Sequence, residues 1–265
     1  MESVLKYFLV CLVFQVNQSN GIYYAEKAIK NQFPYTVLIR DFLSFCTGAL
    51  ISDRHVLTAA HCLRDLRKGS KIKVEVGYFE RSRRGGMSFH SDKYWMHENF
   101  IMPSAVYDIG LIELPVALDY SKNIQWLKLS TKQNAELDLD DQEVEIAGWG
   151  DTEYSTGISS RLLYTNMTLI TMDECEKYKS HYVEDFNENH ICAVKVKGSP
   201  CSGDSGAAMV SMKTKKILGV LSYGKDAENG IDLGYNDCHA NVPVVFTRIS
   251  SYIDWINEKT GLNFS

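Results

Sequence analysis

Short strand-like segments separated by turn residues recur along most of this chain, and they constrain its fold more than any other feature. The segments are Tyr35–Arg40, Ala49–Ser52, Lys71–Gly77, Ile109–Leu114, Glu143–Ala147, Leu163–Ile170, Ala207–Ser211, Ile217–Ser222 and Val244–Arg248. Short strands at this spacing are typical of a barrel or a sandwich, whereas βαβ units would require helices between the strands. The chain is therefore predicted to be all-β.

Helical pattern occurs in only two places. Thr171–His181 carries Asp173 and Glu174 near its beginning, where acidic side chains favour a helix start. The second segment is Ser250–Thr260, which has apolar residues at helical spacing and is followed by Gly261 as a stop signal. We expect one short internal helix and one C-terminal helix.

Composition and charge indicate a globular protein without a nucleic-acid partner. The 265 residues are 45% hydrophobic and 23% charged, enough for one large all-β domain or two small ones. The net charge is −5 and the pI is near 5.8, which gives no electrostatic reason to expect nucleic acid. Part of the acid is local, in Glu136–Glu145, which we interpret as a solvated loop entering a strand, with a cation site as the alternative.

Residues 1–21 resemble a secretory signal peptide. Lys6 precedes the apolar run Tyr7–Phe14, which is too short to span a bilayer, and no other stretch approaches the roughly 20 apolar residues needed. We therefore expect residues 22–265 to form the mature protein, secreted to the extracellular space and not attached to a membrane.

The cysteines are consistent with an exported protein. The chain has seven, and six are left once Cys11 departs with the signal peptide. Six cysteines in an oxidising compartment suggest three disulfides, although the sequence alone permits 15 pairings. A zinc site is not expected, because no C-x-x-C or clustered Cys/His spacing is present.

The segment Cys201–Ala207, with the sequence CSGDSGA, has the composition of a nucleophile turn. A serine hydroxyl attacks a carbonyl only when a base removes its proton and backbone donors stabilise the oxyanion. The N–H groups of Gly203 and Ser205 can converge on one point, because small residues surround them. Taken alone, G-D-S-G could equally be an ordinary turn.

The partners that such a serine needs are present upstream. His61 lies in the segment LTAAHC, and Asp108 begins the apolar run DIGLIEL. Each motif alone would be structural, as a core histidine or as an aspartate at a turn. In the order His61, Asp108, Ser205 they resemble the chymotrypsin/trypsin-like serine peptidase family, whose members use these three residue types as a catalytic triad.

The resemblance covers nearly the whole mature chain and implies its architecture. It implies two six-stranded antiparallel Greek-key barrels, about 22–125 and about 126–250, with a C-terminal helix at about 250–260 and the active site between the barrels. Ala147-Gly148-Trp149-Gly150 matches a further landmark of the family. It supports the fold and not the chemistry.

The resemblance also implies roles and partners. Ser205 would be the nucleophile, His61 the base, and Asp108 the group that orients the histidine, with Gly203 and Ser205 N–H as the oxyanion hole. The implied disulfides are Cys46–Cys62, Cys175–Cys192 and Cys201–Cys238. Substrates would be proteins or peptides, protein inhibitors are candidate partners, no cofactor or metal is expected, and the enzyme would be a monomer.

Asp204 has a separate role in the family, where it pairs with the amino terminus freed on activation. Counting back from Phe33-Pro34-Tyr35 places that terminus at Ile22. Family zymogens carry arginine or lysine before this residue, whereas this chain has Gly21 after Ser19, two small residues that signal peptidase reads. Our hypothesis is that signal removal itself exposes Ile22. The alternatives are an unusual peptidase that cuts after Gly21, or a terminus that never inserts.

Specificity in the family depends on a pocket whose floor lies six residues before the nucleophile, here Ser199. Without a carboxylate at this floor, a preference for arginine or lysine is not expected. The residues expected to bind substrate are Ser199, Ser202, Ser222, Tyr223, Gly224 and Val244. Val244 would make the pocket shallow, so we expect hydrophobic residues of leucine size or smaller before the scissile bond.

Three further features leave alternatives open. The polar segment Lys225–Asp237 is either surface decoration or a loop that narrows the cleft. Asn166 and Asn263 begin glycosylation sequons. The competing function is a catalytically weak homologue that binds a partner through the same cleft. The intact triad favours the enzyme, whereas the atypical amino terminus, Ala207-Ala208 and the long loop favour the homologue.

Overall fold

The computed structural model describes residues 25–42, 44–64, 66, 70–82, 85–101, 105–133, 143–151, 157–178, 187–224 and 242–265. In these residues the strands are β1 Glu26–Lys27, β2 Thr36–Arg40, β3 Phe45–Leu50, β4 His55–Thr58, β5 Ile72–Val76, β6 Met87–Ser91, β7 Tyr94–Met96, β8 Gly110–Glu113, β9 Glu143–Gly148, β10 Leu163–Ile170, β11 His190–Lys195, β12 Ala208–Ser211, β13 Ile217–Tyr223 and β14 Val244–Arg248. The helices are α1 His61–Arg64, α2 Met172–Glu176 and α3 Ile253–Thr260, and a 3₁₀ turn covers Ile249–Ser251.

The strands form two antiparallel sheets that close on themselves. The first has the order β6-β5-β2-β3-β4-β8-β7, and its outer strands β6 and β7 are joined by only Asp92 and Lys93. The second has the order β1-β10-β11-β14-β13-β12-β9, and the additional pairing of β10 with β9 closes it. The predicted all-β fold with two barrels is thus confirmed.

Within the described ranges each sheet has seven strands, one more than the six predicted. In the first sheet the extra strand arises because one stretch of chain bends at Asp92 and Lys93 and pairs as β6 on one side and β7 on the other. In the second sheet six strands form the closed ring, and the two-residue β1 adds to the outside of β10.

Several predicted boundaries were wrong. The strand predicted at Ala49–Ser52 is in fact the end of β3, and Ile51 N–H donates to His55 O at 3.0 Å in the turn that leads to β4. The patterns also missed β1, β4, β6, β7, β11 and the short helix α1. The predicted helix at Thr171–His181 is shorter in the described residues, where α2 ends at Glu176, and 179–181 lie outside them.

The helix ends agree with the sequence signals. Thr171 caps α2 through a capping box with Glu174, and Gly261 ends α3 in the left-handed conformation with φ of 69°. Among the described residues, no helix is long and apolar enough to cross a membrane.

Each barrel has its own core, and a third cluster joins the two. The first core contains residues such as Val56 and Ile112, and the second contains Ile146 and Phe246. The joining cluster includes members of both sheets, such as Leu57 and Leu111 of the first and Ala147 and Val210 of the second. The two barrels therefore bury a common apolar interface, and a cleft residue can receive partners from both.

Candidate active site

The turn before β12 holds Ser205 against both barrels. Gly203 and Gly206 have φ of 91° and 83°, a region that favours glycine. Thr47 of the first barrel donates its N–H to Ser205 O at 2.9 Å and its hydroxyl to Gly203 O at 3.1 Å. Gly206 N–H donates to Leu221 O of β13 at 2.8 Å. The nucleophile turn is thus clamped by strands of both sheets.

Asp108 is fully buried and accepts hydrogen bonds from three donors. Its Oδ2 lies 2.7 Å from His61 Nδ1 and 2.5 Å from Ser222 Oγ, and its Oδ1 accepts from His61 N–H at 2.9 Å. Because an ionised carboxylate can only accept, the shared proton belongs to Nδ1, which leaves His61 Nε2 as the basic nitrogen. Sequence reasoning brought His61 and Asp108 together but missed Ser222 as a partner of Asp108.

His61 is fixed by its position at the beginning of α1. The disulfide Cys46–Cys62 ties the residue that follows it to β3. The His61 side chain is 24% exposed, while Asp108 is not exposed at all. The His61 side chain is therefore partly accessible, while its Nδ1 is bound to a buried carboxylate.

The backbone around Asp108 is supported by aromatic rings. Tyr107 has φ of 61°, and its ring stacks on His97 at 4.7 Å between centroids. Tyr252 and Trp255 also contact His97, at 5.4 and 5.3 Å. Burial lowers the pKa of His97, so this ring is favoured in its neutral form.

The two predicted oxyanion donors have no competing acceptor in the described structure. The carbonyls of Gly203 and Ser205 accept from Thr47, but within the described residues neither N–H donates to another protein atom. A Cβ at Gly203 would lie 2.0 Å from Phe45 Cε2, so the glycine lets the turn approach that ring. Neither N–H group therefore has an acceptor among the described residues.

Asp204 is buried in a cradle built by the Gly148–Gly150 segment. Its Oδ1 accepts from Gly150 N–H at 2.7 Å, and its Oδ2 accepts from Cys201 N–H at 2.9 Å. A Cβ at Gly148 would lie 1.9 Å from Asp204 Oδ1, so this landmark motif shapes the carboxylate site as well as the fold. Burial raises the pKa of Asp204 to about 7, although the two N–H donors lower it, and the charge of Asp151 raises it further.

Three of the six residues expected to bind substrate are buried, and Ser202 and Tyr223 are half-buried. Ser199, Ser222 and Val244 are 6%, 4% and 5% exposed, and Gly224 is exposed. A Cβ at Gly224 would lie 3.8 Å from Val244 Cγ2, so these two residues face each other. The Ser222 hydroxyl donates its proton to Asp108, so it cannot also donate that proton to a substrate.

Several sequence predictions fall partly outside the described residues. The structure contains the disulfides Cys46–Cys62 and Cys175–Cys192, and Cys201 is also disulfide-bonded. Its predicted partner Cys238 lies outside the described residues, as do Ile22, residues 1–21 and the segment 225–237. Most of the acidic segment 136–145 lies outside them as well.

The described residues offer one grouping with metal-ligand atoms, formed by Cys46, His61 and Cys62. Both sulfurs are already joined in a disulfide, so neither can become the thiolate that binds zinc. The grouping therefore does not fit a metal site.

Support for Asp108 also comes from β14, which sequence reasoning missed. Thr247 Oγ1 donates to the Asp108 main-chain oxygen at 2.8 Å, and Thr247 is 1% exposed. Its only sequence signal is a polar residue inside the apolar strand Val244–Arg248.

Comparisons with known proteins agree with this geometry. A family model described as Trypsin matches residues 22–256. The chain is 30% identical over 227 residues to a collagenase of Hypoderma lineatum, which covers 83% of this chain and 78% of the relative. It is 31% identical over 229 residues to the clotting factor G beta subunit of Tachypleus tridentatus, with 81% and 71% covered. A solved structure named HL collagenase has a TM-score of 0.79 and 28% identity, covering 92% of this chain and 100% of the other.

Proposed function

Because the chain belongs to the trypsin family of serine endopeptidases, we propose that it hydrolyses peptide bonds with His61, Asp108 and Ser205. Ser205 Oγ attacks the scissile carbonyl while His61 Nε2 takes its proton, and Asp108 stabilises the imidazolium. The oxyanion accepts from Gly203 and Ser205 N–H, donors worth about 3–4 kcal/mol each in acyl-transfer sites. The observation that carries this proposal is the buried Asp108 carboxylate bound to His61 Nδ1 at 2.7 Å.

Hydrolysis of short peptide anilides by the secreted protein tests the proposal. Activity should rise between about pH 6 and 7.5, because the base must be neutral. The matched control is Ser205→Ala, which removes only the nucleophilic hydroxyl and should lower kcat about 10⁶-fold. Equal rates for the two proteins would identify the activity as a contaminant and contradict the proposal.

For specificity, we propose hydrophobic residues of leucine size or smaller before the scissile bond. Ser199 at the expected pocket floor carries no charge, and Val244 opposite Gly224 occupies space that a large ring would need. Since each methylene misfit changes discrimination by only about 1–3 kcal/mol, the preference should be broad. Rapid cleavage after arginine, with none after leucine or phenylalanine, would overturn this assignment.

For activation, we propose that Ile22 becomes the amino terminus after Gly21 and that its ammonium group pairs with Asp204. In support, Asp204 is completely buried, and no cation among the described residues pairs with it. An ammonium group there would lower the pKa of Asp204 and stabilise its ionised form. Amino-terminal sequencing of the secreted protein should begin at Ile22; a beginning at Gln18 or Asn20 would contradict this.

Export and modification complete the proposal. The disulfides fit an extracellular protein, and a signal peptide at residues 1–21 would direct its secretion. The secreted enzyme would be a monomer, and protein inhibitors would be able to bind it. Of the two sequons, Asn263 is exposed, whereas Asn166 lies half-buried in β10. Exposure favours Asn263 as the glycan carrier. A glycosidase should then lower the mass of the wild-type protein and leave the mass of Asn263→Gln unchanged.

A further inference from the structure

A second histidine lies behind the Asp108 site, and the family chemistry does not use it. His190 begins β11 and is 1% exposed. Asn187 N–H donates to its Nδ1 at 3.3 Å, so the proton of the neutral ring belongs to Nε2. A buried imidazole is a costly group in a core, because its polar atoms must be satisfied there.

Strand register places His190 beside the main-chain anchor of Asp108. His190 is directly opposite Thr247 in the antiparallel β11–β14 pair. Residues opposite each other point to the same face, with Cβ atoms about 5 Å apart. Since the Thr247 hydroxyl donates to Asp108 O at 2.8 Å, a path of neighbouring groups runs from His190 through Thr247 to Asp108 and on to His61.

The same strand pair is fastened at the backbone of His190. Arg248 Nε and Nη2 both donate to His190 O, at 3.3 and 3.2 Å, and Arg248 N–H donates to Asn189 O at 2.8 Å. These bonds fix β14 next to β11 at the position of Thr247. Because this register is fixed, the side chains of His190 and Thr247 are held as neighbours on one face of the sheet.

Burial keeps the His190 ring neutral, against the pull of two nearby carboxylates. Burial lowers its pKa, the negative charge of Asp108 raises it, Arg248 lowers it and Glu188 raises it, with a net lowering. In the pH range of a serine peptidase, His190 is an uncharged spacer with one fixed tautomer.

We propose that His190 is a positioning residue for the catalytic pair: packed against Thr247, its imidazole holds the Thr247–Asp108 hydrogen bond and thereby the orientation of Asp108 toward His61. The inference rests on the proposed function of that pair. It assigns no contact between His190 and substrate, so substrate binding should not depend on it.

Variants of His190 and Thr247 test the proposal. His190→Leu removes the polar ring, His190→Gln keeps a polar group of similar reach, and Thr247→Val removes only the hydroxyl. With active sites counted by a phosphonate reagent, we expect His190→Leu and Thr247→Val each to lower kcat about tenfold, which is about 1.4 kcal/mol, with KM within twofold. His190→Gln should recover most of the loss. The double variant should be no slower than either single one, because both act through one bond.

His55 provides a matched control. It is also a buried histidine, 8% exposed with its pKa lowered mainly by burial, but it lies opposite Glu113 at the end of the β4–β8 pair that is remote from Asp108. His55→Leu should lose thermal stability as His190→Leu does and keep the wild-type kcat. A fall in kcat of the same size in both variants would show a merely structural role and overturn the proposal.

A readout without turnover separates this inference from the proposed function. In a Ser205→Ala background, the pKa of the His61 ring measured by NMR should fall by about half a unit or more when His190→Leu is added, because a displaced carboxylate stabilises the imidazolium less. An unchanged His61 titration would overturn the proposal even if the enzyme is active. If the leucine variant does not fold, Thr247→Val and His190→Gln decide the question by the same measurement.

Discussion

Gly203→Ala should disable the oxyanion hole through a steric clash. An added Cβ would lie 2.0 Å from Phe45 Cε2 and 2.6 Å from Cζ. Carbon atoms in contact are about 3.5–4.0 Å apart, so either the ring or the turn must move by more than about 1 Å. Phe45 is half-buried against the apolar cluster that joins the barrels. We therefore expect the turn, and with it the Gly203 N–H, to be displaced.

Two effects determine how much stability and how much activity Gly203→Ala loses. A left-handed backbone costs alanine about 1–2 kcal/mol, and this appears as lost stability. The loss of one oxyanion donor typically lowers kcat by about 10²–10³. Gly261→Ala is the matched control, because Gly261 has a similar φ of 69° with no atom within 4 Å of a Cβ. It should lose similar stability and keep the wild-type kcat.

The assay is steady-state hydrolysis of a leucine anilide, with active sites counted and thermal unfolding measured on the same samples. Gly203→Ala should fall about 100-fold or more in kcat. Adding Phe45→Ala makes room for the new Cβ and should raise the kcat of Gly203→Ala about tenfold. A wild-type kcat in Gly203→Ala would refute the assignment of this N–H to the oxyanion hole.

Three further predictions concern the neighbouring residues. Ser222→Ala removes a hydrogen bond to the buried carboxylate of Asp108, which is worth about 1.5–3 kcal/mol. In the same assay kcat should therefore fall at least about tenfold while KM stays near the wild-type value. An unchanged kcat would contradict this role. Val244→Ala should raise kcat/KM for phenylalanine relative to leucine by about tenfold, and no change in that ratio would remove Val244 from the pocket wall. In a form that retains Gly21, Asp204 should bind a proton with a pKa of about 7, far above that of the unfolded carboxyl. Because the folded state then holds more protons than the unfolded one, stability relative to Asp204→Asn should increase as pH falls from 8 to 5, and a flat difference in urea unfolding would contradict the raised pKa.

Patterns that depend on local chemistry could be recognised in the sequence. Alternating burial in β5 gives the period of two that the strand prediction used, and Gly261 ends α3 as predicted. β6 escaped prediction because Met87–Ser91 is largely exposed and has no apolar face to reveal its period. α1 escaped because four residues are too few for a helical pattern.

The supports of the site could not be predicted from local sequence. Ser222 and Thr247 are single polar residues in apolar strands, and only their registers bring them to Asp108, more than a hundred residues earlier in the chain. The glycines of the Ala147–Gly150 motif could be assigned to the fold, but their contact with Asp204 depends on the meeting of β9 with the nucleophile turn. Long-range pairing of this kind leaves no periodic signal.

The most direct test of the central claim is covalent labelling by a fluorophosphonate, which reacts quickly only with a serine that a neighbouring base activates. The secreted protein should bind one equivalent, and peptide mapping should place the label on Ser205. His61→Ala should abolish the rapid reaction without unfolding the protein. Rapid labelling at another residue, or none in a folded wild-type protein, would contradict the account.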